Sequence, residues 1–488
     1  MGKITHADIG TQLTKTEWEA NTTHLDSQGN TLELSRSATL VVAASDASAK
    51  SKAGADYVCD SKADDVEIQA AIDALPAGGG KVVLSEGTFT LSTSIDINRN
   101  YVSLVGQGRI STTLKAGGNF PVIIISSQRV KVADLALDGN NQGANTHGFE
   151  ITYSQVIAEN IDVFRCQNGV HLKGPSLWQV TFRDMWIEEC VVGFLCPDTV
   201  TDIDVYLYKV QIYQPTLQGL LLRKTNHVVL DTVEVNGSGK QGLHIVDRYA
   251  GGFFAINCVF EGVRDLSAIA SVYIATDDVH LINCWADSMG TTTVLTCTGS
   301  RLQILGGRYA SAFWPSATNP QDIILLSASV DSKIIGAHIG LYGDYTGIML
   351  SGSERCVVEG NTITGGGTNA LSVEEVGATN ANIITNNRVE KPITKLGALS
   401  IVRGNVGYIT ENSDTATVAD GTTSIAVTHG LATTPTRVQI TPRENPTNAV
   451  AFWWVDTLTP TQFTINVNTN PGASGLDFDW RAVVGEGN

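Results

Sequence analysis

Three shortages in this sequence narrow what it encodes. No apolar run reaches the ~18 residues that a membrane-spanning helix needs, so no span is expected. Cations are scarce: 32 Lys and Arg stand against 49 Asp and Glu, for a formal charge of −17. Phosphate recognition calls for clustered Lys and Arg, so no nucleic-acid partner is expected, and the acidic surplus favours solubility instead. The eight cysteines form no C-x-x-C pair and no zinc spacing. The first residues, MGKITHADIGTQLTKTEWEA, lack the apolar core of a signal peptide, so synthesis in the cytoplasm without a secretory leader is expected.

Repetition is abundant. From about Gly148 to Gly407 one short unit is written many times. Gly148-Phe-Glu-Ile151, Gly169-Val-His-Leu172, Gly193-Phe-Leu-Cys196, Gly219-Leu-Leu-Leu222 and Gly242-Leu-His-Ile245 open successive copies, at steps of 21, 24, 26 and 23 residues. A second strand recurs as Val156-Ile-Ala-Glu-Asn160, Phe253-Phe-Ala-Ile-Asn257, Val279-His-Leu-Ile-Asn283, Arg301-Leu-Gln-Ile-Leu-Gly306, Cys356-Val-Val-Glu-Gly-Asn361 and Asn382-Ile-Ile-Thr-Asn-Asn387. A period in the low twenties means a solenoid, and alternation within each copy is strand period. A leucine-rich repeat would need an L-x-x-L-x-L frame, which no copy shows. The expectation is an all-β chain, a parallel β-helix of ten or more coils. Cys258 and Cys284 fill the same Ile-Asn-Cys slot in successive copies, so they read as stacked, reduced core residues.

The flanks differ in texture. Residues 1–54 are polar and small; Thr14-Lys-Thr-Glu17 can start a short helix, Thr39–Ala43 reads as a strand, and Ala44–Gly54 as a linker. From Asp64 to Leu75 a helix is expected, with Asp64 as cap, Glu67 three residues on, and Ile68, Ala71, Ile72 and Leu75 on one face. It plugs the open end of the solenoid, which would otherwise expose core and unpaired edges. After Tyr408, segments Ala416–Gly430, Thr436–Pro442, Ala449–Asp456, Gln462–Asn468 and Leu476–Val484 read as strands of a small antiparallel β-sandwich. Its aromatics Trp453, Trp454 and Trp480 suit a sandwich core and a subunit interface, or sugar stacking.

Residues 55–110 carry the most specific local pattern. Ile68-Gln69 with Ala71-Ile72, then Gly79-Gly-Lys-Val-Val-Leu84, Gly87-Thr-Phe89 and Val102-Ser-Leu-Val-Gly-Gln-Gly108 together resemble the leading segment of the pectate-lyase-like superfamily. That resemblance implies a right-handed β-helix over residues 55–407, capped by 55–110, and a C-terminal module over 408–488 that trimerises or binds carbohydrate. Many members are bacteriophage tailspikes and polysaccharide-processing proteins. The expected partners are therefore a host surface polysaccharide, two further copies in a homotrimer, and a virion tail or baseplate reached through residues 1–54. The expected location is a virion tail, acting outside the host cell in whose cytoplasm it is made.

Outward positions in successive coils stack about 4.8 Å apart, so candidate columns can be written down. One runs Asp162, Trp186, Gln211, Glu234, Val259, Trp285, Arg308, His338; its neighbour runs Phe164, Glu188, Tyr213, Asn236, Glu261, Asp287. In the first strand the column is Glu150, His171, Leu195, Leu221, His244, Tyr273. Near Asp231 the alignment admits a one-residue slip, which would swap in for out. Carboxylates mixed with aromatics are what a sugar-cleaving groove needs: rings stack on pyranoses, and two carboxyl groups serve as acid and as base or nucleophile. Glu188 and Glu234 are the first candidate catalytic pair, Asp184 and Asp231 the alternates. Trp186, Tyr213, Trp285 and Asp162 are candidate substrate contacts. For each of these carboxylates a solvated polar ladder is the competing reading, and His171 and His244 suit solvent or a subunit contact.

No cofactor is expected and no metal site is assigned; a structural Ca²⁺ at Asp202-Ile-Asp204 or Asp277-Asp278 competes with plain Asx turns. The paired motifs of polygalacturonase-like hydrolases and the Asp-Pro-His of alginate epimerases are not found. Three functions stay open: a glycoside hydrolase-type depolymerase, a binding-only fibre or adhesin, and a lyase or epimerase on uronic-acid polymers.

Overall fold

The computed structural model describes residues 38–199, 202–246, 252–263, 270–288, 293–311, 322–446 and 450–484. The helix expected at Thr14–Glu17 lies outside them. Parallel strands stack into a β-solenoid of about 11 turns, followed by a small antiparallel module. Strand Thr39–Ala43 pairs in parallel with Gly80–Leu84, so the solenoid's sheet already includes a strand that lies before residue 55. The expected linker behind it contains the short helix Ala49–Ala53, capped by the Ser48 hydroxyl, which accepts from the Ser51 N–H.

The helix Asp65–Asp73 buries Ile68, Ala71 and Ile72, with Leu75 beside them, and closes the end of the core as its periodicity predicts. Its cap is not the expected one. Asp64 adopts a helical backbone (φ −60°, ψ −11°) and makes no capping bond with its side chain. Its carboxylate instead accepts from the N–H of Ser61 at 2.9 Å and of Thr90 at 2.7 Å, which ties the helix to the first coil. That tie is buried, so it replaces an intrahelical bond by one that fixes the plug in place.

Each coil turns sharply at left-handed residues. Asn160, Asp184, Lys209, Thr232, Asn257 and Asn283 succeed one another at one corner, with φ between 50° and 57°. Asn, Asp and Gly adopt this conformation at least cost, which is why they predominate here, while Lys209 and Thr232 hold it under strain. Later coils place Gly306, Gly336 and Gly360 at this bend. In two later coils the residue after the corner is an asparagine that enters the core. Gly360 and Asn386 turn the chain, while Asn361 and Asn387 point inward and are fully buried. Asn361 Nδ2 donates to Ile334 O at 2.8 Å, and its N–H to Asn387 Oδ1 at 2.9 Å; Asn387 repeats both bonds with Val358 and Asn405.

The glycines that open the copies are explained by space. A Cβ on Gly193 would lie 2.5 Å from Ile212 Cγ2 and 2.6 Å from Gly219 O, and Gly148, Gly169 and Gly219 are walled in the same way. Behind them Leu, Ile, Val and Phe form one continuous core from Val42 to Ile393. All eight cysteines are free and buried. Cys258 and Cys284 stand one coil apart, each thiol donating to a backbone carbonyl, Leu230 O and Ala255 O respectively.

The C-terminal module is two three-stranded antiparallel sheets: Glu411–Val418, Leu476–Val483 and Arg437–Pro442 in one, and Ser424–Thr428, Gln462–Val467 and Trp453–Asp456 in the other. The single strand expected over Ala416–Gly430 is two strands, because Gly421 (φ 80°) turns the chain between the sheets. They share a core in which Phe463 meets Trp480 edge-on at 5.4 Å. Trp480 is buried, Trp453 packs against that core, and Trp454 is 44% exposed beside Phe452.

Gly193→Ala should destabilise the solenoid by about 1–3 kcal/mol, the usual cost of overpacking a close-fitted core. A thermal unfolding midpoint equal to wild type would contradict the close approach.

Candidate functional site

Register decides which outward residues meet. Hydrogen-bonded neighbours run Asp162, Trp186, Gln211, Glu234, Val259, Trp285, Arg308 and His338 along one column. The adjacent column runs Phe164, Glu188, Tyr213, Asn236 and Glu261. At the next coil a bulge intervenes. Gly262 (φ 71°) adds a residue, and its N–H donates to Asp287 Oδ1 at 2.9 Å.

Glu188 and Glu234 do not face each other. They sit two coils apart and two residues offset, roughly 10 Å along the solenoid and 7 Å along the strand, with Gln211 and Tyr213 between. Glu188 Oε2 accepts from Trp186 Nε1 at 2.9 Å, and the Trp186 ring stacks on Tyr213 at 6.0 Å. Glu234 Oε2 accepts from Gln211 Nε2 at 3.1 Å. Asp184 is a corner residue, whose carbonyl lies 3.4 Å from Arg109 Nη1. Arg109, Asp184, Lys209, Gln211 and Glu234 line an open groove of about 350 Å³. Asp231 pairs with Tyr208 on the strand before the corner, and its carboxylate accepts from the Thr232 hydroxyl. It thus belongs to a different flank from Glu234. Asp162 lies 3.3 Å from Arg109; burial raises its carboxyl, against the attraction of that guanidinium.

A group of crowded carboxylates lies one coil further on than the expected pair. Burial, then the nearby Asp287 and Glu234 carboxylates, push the Glu261 carboxyl up, although Asn236 Nδ2 donates to its Oε1 at 2.5 Å. Burial also pushes Asp287 up, opposed by the Gly262 N–H and by Arg308. Arg308 lies over the Trp285 ring at 4.9 Å. Glu261 and Asp287 stand in successive coils of the column read from sequence; the Gly262 bulge beside Glu261 adds the N–H that holds the Asp287 carboxylate. The signal that could have found them is Glu261-Gly262, a glycine breaking the alternation of an outward strand.

Of the two acidic turns considered for Ca²⁺, Asp202 and Asp204 lie within the long strand Asp202–Tyr213, not in a turn, and Asp204 pairs with His227. Asp277 and Asp278 do lie in a bend, and both hold the Arg301 guanidinium, at 3.0 and 2.7 Å, so an internal cation already occupies their oxygens. In the first-strand column Glu150, His171, Leu195, Leu221, His244 and Tyr273 succeed one another in register. Burial pushes the His244 imidazole down to about 4.

These features define a class: a parallel β-helix protein with an acidic, aromatic outward face and an antiparallel sandwich behind it. No family model and no curated protein matches the chain. Among solved structures it is similar to the Dettilon tailspike protein gp208 (10% identity, TM-score 0.44, covering 86% of this chain and 90% of that one). It is similar to the tailspike protein gp49 from Pseudomonas phage LKA1 (11%, 0.44, 86% and 92%). The A-module of Azotobacter vinelandii mannuronan C-5 epimerase AlgE4 also matches (18%, 0.36, 70% and 96%). Likenesses this distant add nothing to the fold already read from the strand register.

The raised carboxyls carry a stability signature. A carboxyl whose folded pKa exceeds its unfolded value binds more protons in the folded state. Stability is then lost as pH rises from the ordinary range near ~4 through the raised value. Glu261→Gln with Asp287→Asn should therefore unfold at a higher temperature than wild type at pH 7, with the advantage vanishing below pH ~4. An equal or lower midpoint at pH 7 would contradict the crowding described for this pair.

Proposed function

We propose that the protein binds an extended host-surface polysaccharide along the outward face between Asp162 and Arg308. It hydrolyses the glycosidic bonds there, with Glu261 as general acid and Asp287 as base or nucleophile. The observation that carries this reading is the contrast between two carboxyl groups on neighbouring coils. Burial raises Glu261, and the like charges of Asp287 and Glu234 add to that shift. Burial raises Asp287 as well, but a backbone N–H and the Arg308 guanidinium oppose that shift. Environments that differ in this way divide acid from base. Neighbouring coils are about 4.8 Å apart, close to the ~5–5.5 Å separation of retaining glycosidases.

The earlier candidates keep supporting roles in this reading. Glu234 is the third carboxylate that holds the Glu261 proton. Glu188 anchors the Trp186 indole, and the Trp186–Tyr213 stack and the 39%-exposed Trp285 offer rings to the sugar. Asp162 and Asp184 flank the Arg109 end of the groove, and Asp231 takes no part.

Amide variants separate the possibilities. Glu261→Gln and Asp287→Asn should each lose ~10²–10⁴ in the rate of reducing-end release from host capsule, with binding retained. Glu188→Gln and Asp231→Asn should cleave nearly as wild type. Full activity in both site variants overturns the assignment. An unsaturated, ultraviolet-absorbing product makes the protein a lyase, and binding without any cleavage makes it an adhesin.

The same reading includes a homotrimer fixed to a virion tail through the N-terminal segment. Its support is the apolar surface left in the last coil, where Leu396, Leu399 and Val406 are 57%, 64% and 67% exposed. Light scattering should give three times the 51.9 kDa of one chain. A mass of one chain overturns the trimer.

A further inference from the structure

We propose that His147, Glu150 and His171 form a binding site for one late first-row divalent metal ion, best matched by zinc(II), that staples two successive coils. The site lies on the 13-stranded sheet, whereas the acidic face belongs to the 25-stranded one. His147 and Glu150 share the strand His147–Ile151, and His171 sits on the next coil directly opposite Glu150. One ligating atom from each of the three lies within 4.8 Å of the other two. The two imidazoles meet edge-on at 4.6 Å.

Three further observations point to a cation. First, His171 Nδ1 is buried without a hydrogen-bond partner and faces Glu150 Oε2 at 3.8 Å, too far for a hydrogen bond. A buried nitrogen left unpaired is costly, and a metal ion between it and the carboxylate removes that cost. Second, Glu150 is only 8% exposed, and a positive charge is already drawn to it: Lys173 Nζ lies 3.0 and 3.2 Å from its two oxygens. The Lys173 side chain is 55% exposed, so its ammonium can swing into solvent when a metal ion takes its place. Third, the Asn168 amide lies 3.1 Å from His147 Nδ1 and orients the ring; with its oxygen turned to the ring it accepts the Nδ1–H, the tautomer in which Nε2 ligates.

The donor set selects the ion. Two imidazole nitrogens and one carboxylate oxygen suit zinc and its neighbours, whereas Ca²⁺ and Mg²⁺ take oxygen shells. Three protein ligands leave a fourth position for water.

Full-length protein stripped with chelator should bind one Zn²⁺ per chain by calorimetry and gain thermal stability from Zn²⁺ but not from Ca²⁺ or Mg²⁺. Co²⁺ in its place should show visible ligand-field absorption. His171→Ala and Glu150→Gln should each abolish the stoichiometric site, and Asn168→Ala should weaken it ~10–100-fold. Lys173→Gln leaves all three ligands intact and should tighten Zn²⁺ binding; it keeps the test decisive if a ligand variant fails to fold. No saturable Zn²⁺ binding, or binding unchanged in His171→Ala, Glu150→Gln and Lys173→Gln alike, overturns the site.

Discussion

Everything in this molecule depends on the parallel hydrogen-bond register between one coil and the next. Side chains in a strand alternate in and out with a period of two, so a slip of one residue exchanges core for surface. Holding that register over many coils is what lets a residue in one turn meet its counterpart in the next. It is enforced by the left-handed corner at Asn160, Asp184, Lys209, Thr232, Asn257 and Asn283, and by the glycines whose missing Cβ admits the carbonyl of the following coil. A chain that bends at the same point in every turn has its register set at every turn.

Stacking like on like has opposite consequences inside and outside. Inside, it lets polar groups be buried without loss. Asn361, Asn387 and Asn405 pass hydrogen bonds from coil to coil, and the Cys258 and Cys284 thiols find carbonyls in the coil below. Buried polar groups satisfied in this way specify the register as well as tolerate it. Outside, the same stacking brings like charges together. The Asp287 and Glu234 carboxylates both press on Glu261. Crowding of this kind, on a face lined with Trp186, Tyr213 and Trp285, is what the proposed function draws on.

Elsewhere the chain neutralises its acids from within. Arg301 fills the bend at Asp277 and Asp278, Arg355 pairs with Asp331, and Arg109 reaches Asp162. The first two pairs are exposed and contribute little to stability. Their effect is to leave the acidic charge concentrated where no internal cation answers it fully. At Glu261 no cation appears among the groups that shift it, and at Asp287 a single arginine does.

The sequence by itself determined the class of fold, the plug helix and the membership of the outward columns. Those depend on local alternation and on a repeat of 21 to 26 residues, both of which are printed along the chain. It did not determine which members of neighbouring columns converge. Glu188 and Glu234 read as a pair because both are carboxylates among aromatics, yet a whole coil separates them. Glu261 and Asp287 were legible as column neighbours, but the N–H that holds Asp287 comes from Gly262, which adds one residue to one strand, and a bulge is a property of two strands together. Asp64 looked like a helix cap because its position in sequence suits one; its partners, Ser61 and Thr90, became available only when the first coil closed over it. The cluster of His147, Glu150 and His171 likewise joins two coils, so no spacing along one strand announces it. Periodicity within a strand is a local property that a sequence records, whereas proximity across coils depends on registers and bulges that exist only once the chain has stacked.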